Sequence, residues 1–229
     1  MNPELNLIVV AHPDDEILGF GASGHKLVKQ GEIVQSIILC GNVDARHLRP
    51  TDEELYLDCL KANEVLGFSE PVLGSFPNIR LNTVDHIELV QFIEKQILQF
   101  KPTRIFTHHP SDLNDDHHQI SRACLAASRL YQRRDDVPPL KSLHFMEIQS
   151  ATDWAYEKNM EGFRPNLFVE IENELDVKLQ ALSKYRNVMR EYPHPRSVEA
   201  IKGLAAYRGA QNGQNYAEAF QTIFQRELV

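Results

Sequence analysis

The sequence predicts an α/β fold: an open, mainly parallel, Rossmann-like sheet with helices on both faces. Three observations carry that expectation. Short runs rich in β-branched and aliphatic residues, LNLIVV at 5–10, IVQSIILC at 33–40 and RIFTH at 104–108, read as buried strands. The segments between them carry apolar residues at helical spacing. Strand and helix patterns alternate, as they do where crossover helices join parallel strands.

The elements follow in order. After the first strand, Ile17 to Gln30 sets Leu18, Ala22 and Leu27 among polar residues, which predicts a helix. The second strand is followed by Thr51-Asp-Glu-Glu54, an acidic helix start, with the helix running to Leu66 and Gly67 as its stop. Pro71-Val72-Leu73 reads as a short strand. Residues 84–99 place Ile87, Val90, Ile93 and Ile97 at helical spacing. The strand at 104–108 leads into a polar loop and an apolar helix over 117–131. Beyond a charged loop at 132–139, residues 143–148 and 167–171 read as strands, and 174–190, 197–208 and 215–226 as helices. The last of these puts Tyr216, Phe220, Ile223 and Phe224 on one helical face. No linker separates a second unit, so residues 1–229 are expected to form one domain, with 140–229 packing on the same core.

Composition narrows the function. Of 229 residues, 42% are hydrophobic and 24% charged, ordinary globular usage. Lys and Arg number 24 against 32 Asp and Glu, a net charge of −8, which argues against a nucleic-acid partner because phosphate neutralisation needs a cationic face. No run approaches the roughly 20 apolar residues of a membrane span. The start, MNPELNLIVV, reads as neither a signal nor a transit peptide, so a cytoplasmic protein is expected; a homo-oligomer is compatible with all of this. Cys40, Cys59 and Cys124 form no C-x-x-C pair and read as buried apolar residues. Among ten histidines, His108, His109, His117 and His118 crowd one segment.

Two readings compete for the loop after the first strand. Gly19, Gly21 and Gly24 match G-x-G-x-x-G, and Asp44 lies beyond the second strand, a pattern for a nucleotide-binding module. That pattern needs its first glycine in the turn directly after the strand, yet residues 11–18 intervene, so the glycines fall inside the helix as packing positions. The turn itself holds Ala11-His-Pro-Asp-Asp-Glu16. Imidazole and carboxylate suit a divalent metal, and a turn brings His12 and Asp15 to one ion. Asp14, between them, can reach water at that ion. A second segment, Thr107-His-His-Pro-Ser-Asp-Leu-Asn-Asp-Asp-His-His118, follows the strand at 104–108. Both loops belong at the carboxyl edge of the sheet, where open α/β sheets bind ligands. Within the second loop, Asp116 reads as a helix cap and His117 as the opening of a helix, roles compatible with metal binding.

These residues resemble the LmbE-like, or PIG-L, family of zinc-dependent N-deacetylases. The family's A-H-P-D-D-E stands unaltered at 11–16, and its D-x-H-x-D-H corresponds to Asp112-Leu-Asn114-Asp-Asp116-His117. Tyr185, His194-Pro-Arg-Ser197, Arg208-Gly209 and Tyr216-Ala-Glu-Ala-Phe220 extend the resemblance toward the C-terminus. It implies zinc ligands at His12, Asp15 and His117, leaving a position for water, with Asp14 as general base. It also implies removal of acetyl from an N-acetylated amino sugar or glycoconjugate, of the N-acetylglucosaminyl type. Asn114 stands where the family has a histidine thought to stabilise the oxyanion; asparagine still donates a hydrogen bond but carries no ionisable proton. His194 is the candidate to take over proton donation, with His109 in reserve. A two-histidine, one-carboxylate site also accepts Fe²⁺, Co²⁺ or Mn²⁺. A non-catalytic metal- or sugar-binding relative is the further alternative. His25, His47, His86 and His144 read as surface or helix residues, His118 as pointing away from the site, Trp154 and Tyr156 as packing, and Arg49 and Arg80 as possible anion contacts.

Overall fold

The structure, a computed structural model, describes residues 3–41, 50–156 and 161–227. It is built on a seven-stranded sheet. The chain runs β1 (Leu5–Val10), α1 (Asp15–Lys29), β2 (Ile33–Ile38), α2 (Asp52–Leu66), β3 (Val72–Leu73), α3 (His86–Phe100), β4 (Arg104–His108), α4 (Asp115–Ala127), β5 (Ser142–Met146), β6 (Leu167–Glu170), α5 (Leu175–Leu182), α6 (Val198–Asn212) and β7 (Ala217–Gln225). The strand order is β3-β2-β1-β4-β5-β7-β6. The first five strands are parallel, and β7 runs antiparallel to both β5 and β6.

The apolar runs read as strands because both faces of the sheet are covered. Along β1, Ile8 and Val10 enter one hydrophobic cluster and Leu7 and Val9 the other. Helices α1, α2, α5 and α6 cover the first face, and α3 and α4 the second. Local chemistry sets the helix ends. Thr51 and Glu54 form a reciprocal capping box at the start of α2, and Gly67 ends it in the left-handed region with φ 71°. A cluster of Phe20, Phe106 and Phe220, with ring centroids 4.1 to 5.6 Å apart, ties α1, β4 and β7 together.

Order reversal positions the site. From β1 the sheet proceeds to β2 and β3 on one side and to β4 and β5 on the other. The loops leaving β1 and β4 therefore diverge and open a crevice at their carboxyl ends.

Two helix expectations are corrected. Residues 215–226 are not a helix: Gly213, with φ 72°, ends α6, and the chain continues as β7. The apolar pattern misleads because β7 carries a bulge. Leu143 faces Phe224 while His144 faces Thr222, so Ile223 is an extra residue. Phe220 thus packs on the first face and Phe224 on the second, which breaks the alternation expected of a strand. The helix expected over 174–190 ends at Leu182, and the chain turns so that Tyr185 reaches the core. His144 is corrected too: it is buried in strand β5, stacked on Phe106 at 4.7 Å.

Candidate active site

The site begins with the turn after β1. Asp14 takes φ 106°, and α1 starts at Asp15. A non-glycine residue at positive φ is a costly conformation that surrounding contacts must enforce. Here they do. The Asp14 amide donates to the Glu16 carboxylate at 3.0 Å, and that carboxylate is buried and accepts from Asn63 at 3.1 Å and from the Tyr185 hydroxyl. Burial pushes the Glu16 carboxyl up to about 7.

His12, Asp15 and His117 meet at the crevice. Each offers one atom, and these atoms lie within 4.8 Å of one another. His12 Nδ1 is 3.3 Å and His117 Nε2 is 3.2 Å from Asp15 Oδ2. A tetrahedral ion with bonds of about 2.0–2.1 Å has ligand–ligand edges of about 3.3 Å, so these separations fit zinc-type coordination. Asp15 Oδ1 is buried without a hydrogen-bond partner among the described residues, the mark of a missing ligand.

The outward nitrogens of both rings are held by carboxylates. His12 Nε2 lies 2.9 Å from Asp116 Oδ2, and His117 Nδ1 lies 2.8 Å from Asp112 Oδ2. Such partners set ring orientation and tautomer in metal sites and raise ligand basicity. Asp116 also accepts from the backbone amides of Ile79 at 2.6 Å and Leu81 at 3.0 Å. Burial would raise its pKa, but these hydrogen bonds and that of His12 outweigh burial and hold it below the usual carboxylate range. His108 adds a third ring, stacked on His117 at 3.7 Å. Its Nε2 accepts from the Ala11 amide at 2.8 Å, and burial holds its pKa well below the ordinary value, so it stays neutral.

Cys40 lies 3.9 Å from Asp116 Oδ2, and His12, Cys40 and Asp116 form another group of metal-type residues. Burial first, then the nearby carboxylates, push the Cys40 thiol far up.

The remaining expected residues are placed as follows. Asn114, and not Asp116, caps α4: its Oδ1 accepts from the Asp116 amide at 3.0 Å, which leaves its Nδ2 as a donor. His118 contacts the Asp112 carbonyl and stands apart from the triad. His109 is bound to Ser111 at 2.7 Å, between the edges of Phe145 and Phe163. Gly19, Gly21 and Gly24 lie inside α1 against other elements; a Cβ at Gly19 would stand 2.6 Å from Ile148. They are packing positions, and the helix interior offers no phosphate cradle. Asp44, His47 and Arg49 lie outside the described residues, and Arg80 is exposed.

His194 lines a cavity of about 410 Å³ that reaches Pro13 of the metal-type loop. The same cavity is bordered by Trp154 and Arg196, while Tyr156 is exposed. Arg196 donates to Asp14 Oδ2 at 2.5 Å and to Ser150 Oγ at 3.2 Å. Ser197 caps α6 by accepting from the Ala200 amide at 3.1 Å. The sequence reading missed the roles of Asp112 and Asp116, although carboxylates flanking a candidate metal histidine are a usable signal. The Arg196–Asp14 pair joins residues 182 apart and has no local signature.

Comparison with known proteins agrees with this architecture. The chain is similar to an uncharacterized deacetylase, YaiS, of Escherichia coli strain K12, with 26% identity over 79% of this chain and 90% of that protein. It is similar to the diacetylchitobiose deacetylase of Thermococcus kodakarensis, with 24% identity over 95% of this chain and 82% of that one. The crystal structure of a conserved protein, TT1542, from Thermus thermophilus superposes with a TM-score of 0.78 at 25% identity, covering 97% of this chain and 96% of that one. The model of the family described as PIG-L, GlcNAc-PI de-N-acetylase, matches residues 7–128, and the chain belongs to that family.

Proposed function

We propose that this protein is a zinc-dependent N-deacetylase, a hydrolase that removes the acetyl group from an N-acetylated amino sugar or glycoconjugate of the N-acetylglucosaminyl type in the cytoplasm. The observation that carries the reading is the meeting of His12, Asp15 and His117 at tetrahedral spacing, in a loop whose Pro13, next to Asp14, lines an open cavity. Zinc bound there would polarise the amide carbonyl and acidify the attacking water; Fe²⁺, Co²⁺ or Mn²⁺ suit the same donors.

Asp14 is the general base. It takes a proton as water attacks the acetyl carbon and passes it to the departing nitrogen, so that acetate and a free amine leave. Its positive φ and the Glu16 contact fix its position at the start of α1. Asn114 Nδ2 and His194 are the proposed hydrogen-bond donors toward the developing oxyanion and leaving group. His194 Nδ1 accepts the Arg196 amide at 3.0 Å, so its neutral ring presents Nε2–H. Burial, then Arg196 and Arg190, lower its pKa, which favours the role of neutral donor over that of stored acid.

Acetate release from N-acetylglucosaminides by zinc-loaded protein tests the reading. Asp14→Asn should lower kcat by about 100- to 10,000-fold, the usual range for a lost general base. Asparagine tolerates the left-handed backbone, so the variant should fold. Equal rates for wild type and variant across a panel of such amides would overturn the proposal.

A further inference from the structure

The backbone of Asp14 is held by its own turn, but its side chain is held from far along the chain. The Glu16 carboxylate accepts the Asp14 amide at 3.0 Å and keeps the positive φ in place. The two side-chain torsions stay rotatable, and a general base works only with its carboxylate in reach of the attacking water. Arg196 meets that carboxylate. Its Nη1 donates to Asp14 Oδ2 at 2.5 Å and its Nε to Ser150 Oγ at 3.2 Å. Two donors of one rigid fork on two partners fix the plane of the guanidinium.

The arginine is itself anchored. Its carbonyl accepts the Arg190 amide at 3.2 Å, and its own amide donates to His194 Nδ1 at 3.0 Å. The next residue, Ser197, is buried and caps α6. Tyr185, earlier in the same segment, donates its hydroxyl to Glu16. Residues 185–197 thus reach the Asp14 amide through Glu16 and the Asp14 carboxylate through Arg196. The Asp14 side chain is fully buried and that of Arg196 only 18% exposed. A buried ion pair adds little stability over an apolar pair of similar volume, so stability alone does not account for this one.

We propose, on the deacetylase reading, that Arg196 is a positioning residue, which holds the Asp14 carboxylate in the rotamer that reaches the attacking water. It acts through Asp14, transfers no proton and binds no metal.

Acetate release by zinc-loaded Arg196→Ala and Arg196→Lys tests this. Displacing a catalytic group by about 1 Å costs about 100-fold in rate. Arg196→Ala should lose kcat by about that factor, and Arg196→Lys, which keeps the charge without the fork, by less. KM should stay within about threefold of wild type in both. Guanidinium ion added to Arg196→Ala should restore kcat by about tenfold, because the vacated space borders the cavity. In an Asp14→Asn background, Arg196→Lys should lower the residual kcat by about threefold or less, since no base is left to hold. Two readouts need no turnover. Zinc affinity, from competition with a chelator, should stay within about threefold, and in crystals of Arg196→Lys the Asp14 carboxylate should leave its wild-type rotamer. Loss of one partner of a buried pair also costs stability, so Arg196→Lys carries the test if Arg196→Ala does not fold.

Wild-type kcat in the folded variants overturns the proposal. So does a raised KM with kcat unchanged, the mark of a substrate contact. Equal losses in the wild-type and Asp14→Asn backgrounds overturn it as well, since Arg196 then acts independently of Asp14. Acetate release that survives both substitutions sinks this inference alone. No release by the wild-type protein sinks the deacetylase reading, and this inference falls with it.

Discussion

Along the amino-terminal halves of β4 and β5 lies a cavity of about 630 Å³, ringed by Lys26, Arg104, Lys141 and Arg226. At the carboxyl ends of the strands the smaller cavity, about 410 Å³, reaches Pro13, next to Asp14. The larger one is chemically quiet. Lys26 meets Glu170 at 2.6 Å, Arg104 meets Glu4 and Glu32 at 2.8 Å each, Lys141 meets Glu4, and Arg226 lies 5.2 Å over the Tyr131 ring. On its wall, His144 bonds both Thr222 at 2.9 Å and Ser142 at 2.7 Å. At the carboxyl ends, by contrast, Asp15 Oδ1 is buried without a partner among the described residues beside His12 and His117, and Asp14 is held at positive φ. Volume does not mark the reactive end of this molecule. The gathering of His12, Asp15 and His117 at one buried point does, because burying ionisable side chains together costs stability and serves no packing need.

That contrast can be broken at several points. If the amino-end cavity is structural, its buried histidine should govern stability. Burial, then Arg104, lowers the His144 pKa from the ordinary 6.5 to about 4. Between those values the unfolded chain binds a proton that the folded chain refuses. The His144 contribution to stability is therefore full above about pH 6.5 and falls as pH drops toward 4, by up to about 3 kcal/mol. Glu16, pushed up to about 7, contributes a slope of opposite sign in the same window. The His144 slope should therefore appear as the difference in stability between wild type and His144→Gln, read by denaturant unfolding between about pH 4.5 and 7, while acetate release at neutral pH persists. A slope unchanged by the substitution would remove His144 from the account.

A smaller effect, read on a different quantity, is expected at the reactive end. Asp112→Asn leaves His117 with a weaker partner and should reduce zinc affinity by about 10- to 100-fold, measured by competition with a chelator. Unchanged affinity would mean that His117 is not oriented through Asp112. The smallest effect belongs again to the quiet cavity. Lys26 and Glu170 are both about 30% exposed, so Lys26→Met should shift stability by about 1 kcal/mol or less and spare activity. A marked loss of acetate release there would give the larger cavity a function that its paired charges do not suggest.

Legibility in the sequence followed the same division. The parallel half was readable because its long strands are buried on both faces and helix boundaries carry local signals, as at Thr51 and Gly67 for α2. Likewise His12, Asp14, Asp15 and His117 stood out because their loops leave β1 and β4, and the strand pattern alone places such loops at one edge. The antiparallel half was less readable. The bulge at Ile223 moves Phe224 to the opposite face from Phe220, so the spacing imitates a helix. Asn114 takes the capping role expected of Asp116 for a comparable reason: either side chain can cap α4, and only the Ile79 and Leu81 amides, brought in from a distant loop, claim the Asp116 carboxylate.

The sequence by itself determined the α/β class, the parallel strands and helices of the first 130 residues, and the two loops of metal-type side chains, since these rest on local periodicity and short-range motifs. Only the tertiary structure decided that residues 217–225 pair between β5 and β6, that Asp112 and Asp116 hold the two histidines, and that Arg196 reaches Asp14. Those outcomes depend on contacts between residues far apart in the chain, and no local pattern encodes which distant donor will meet a buried carboxylate.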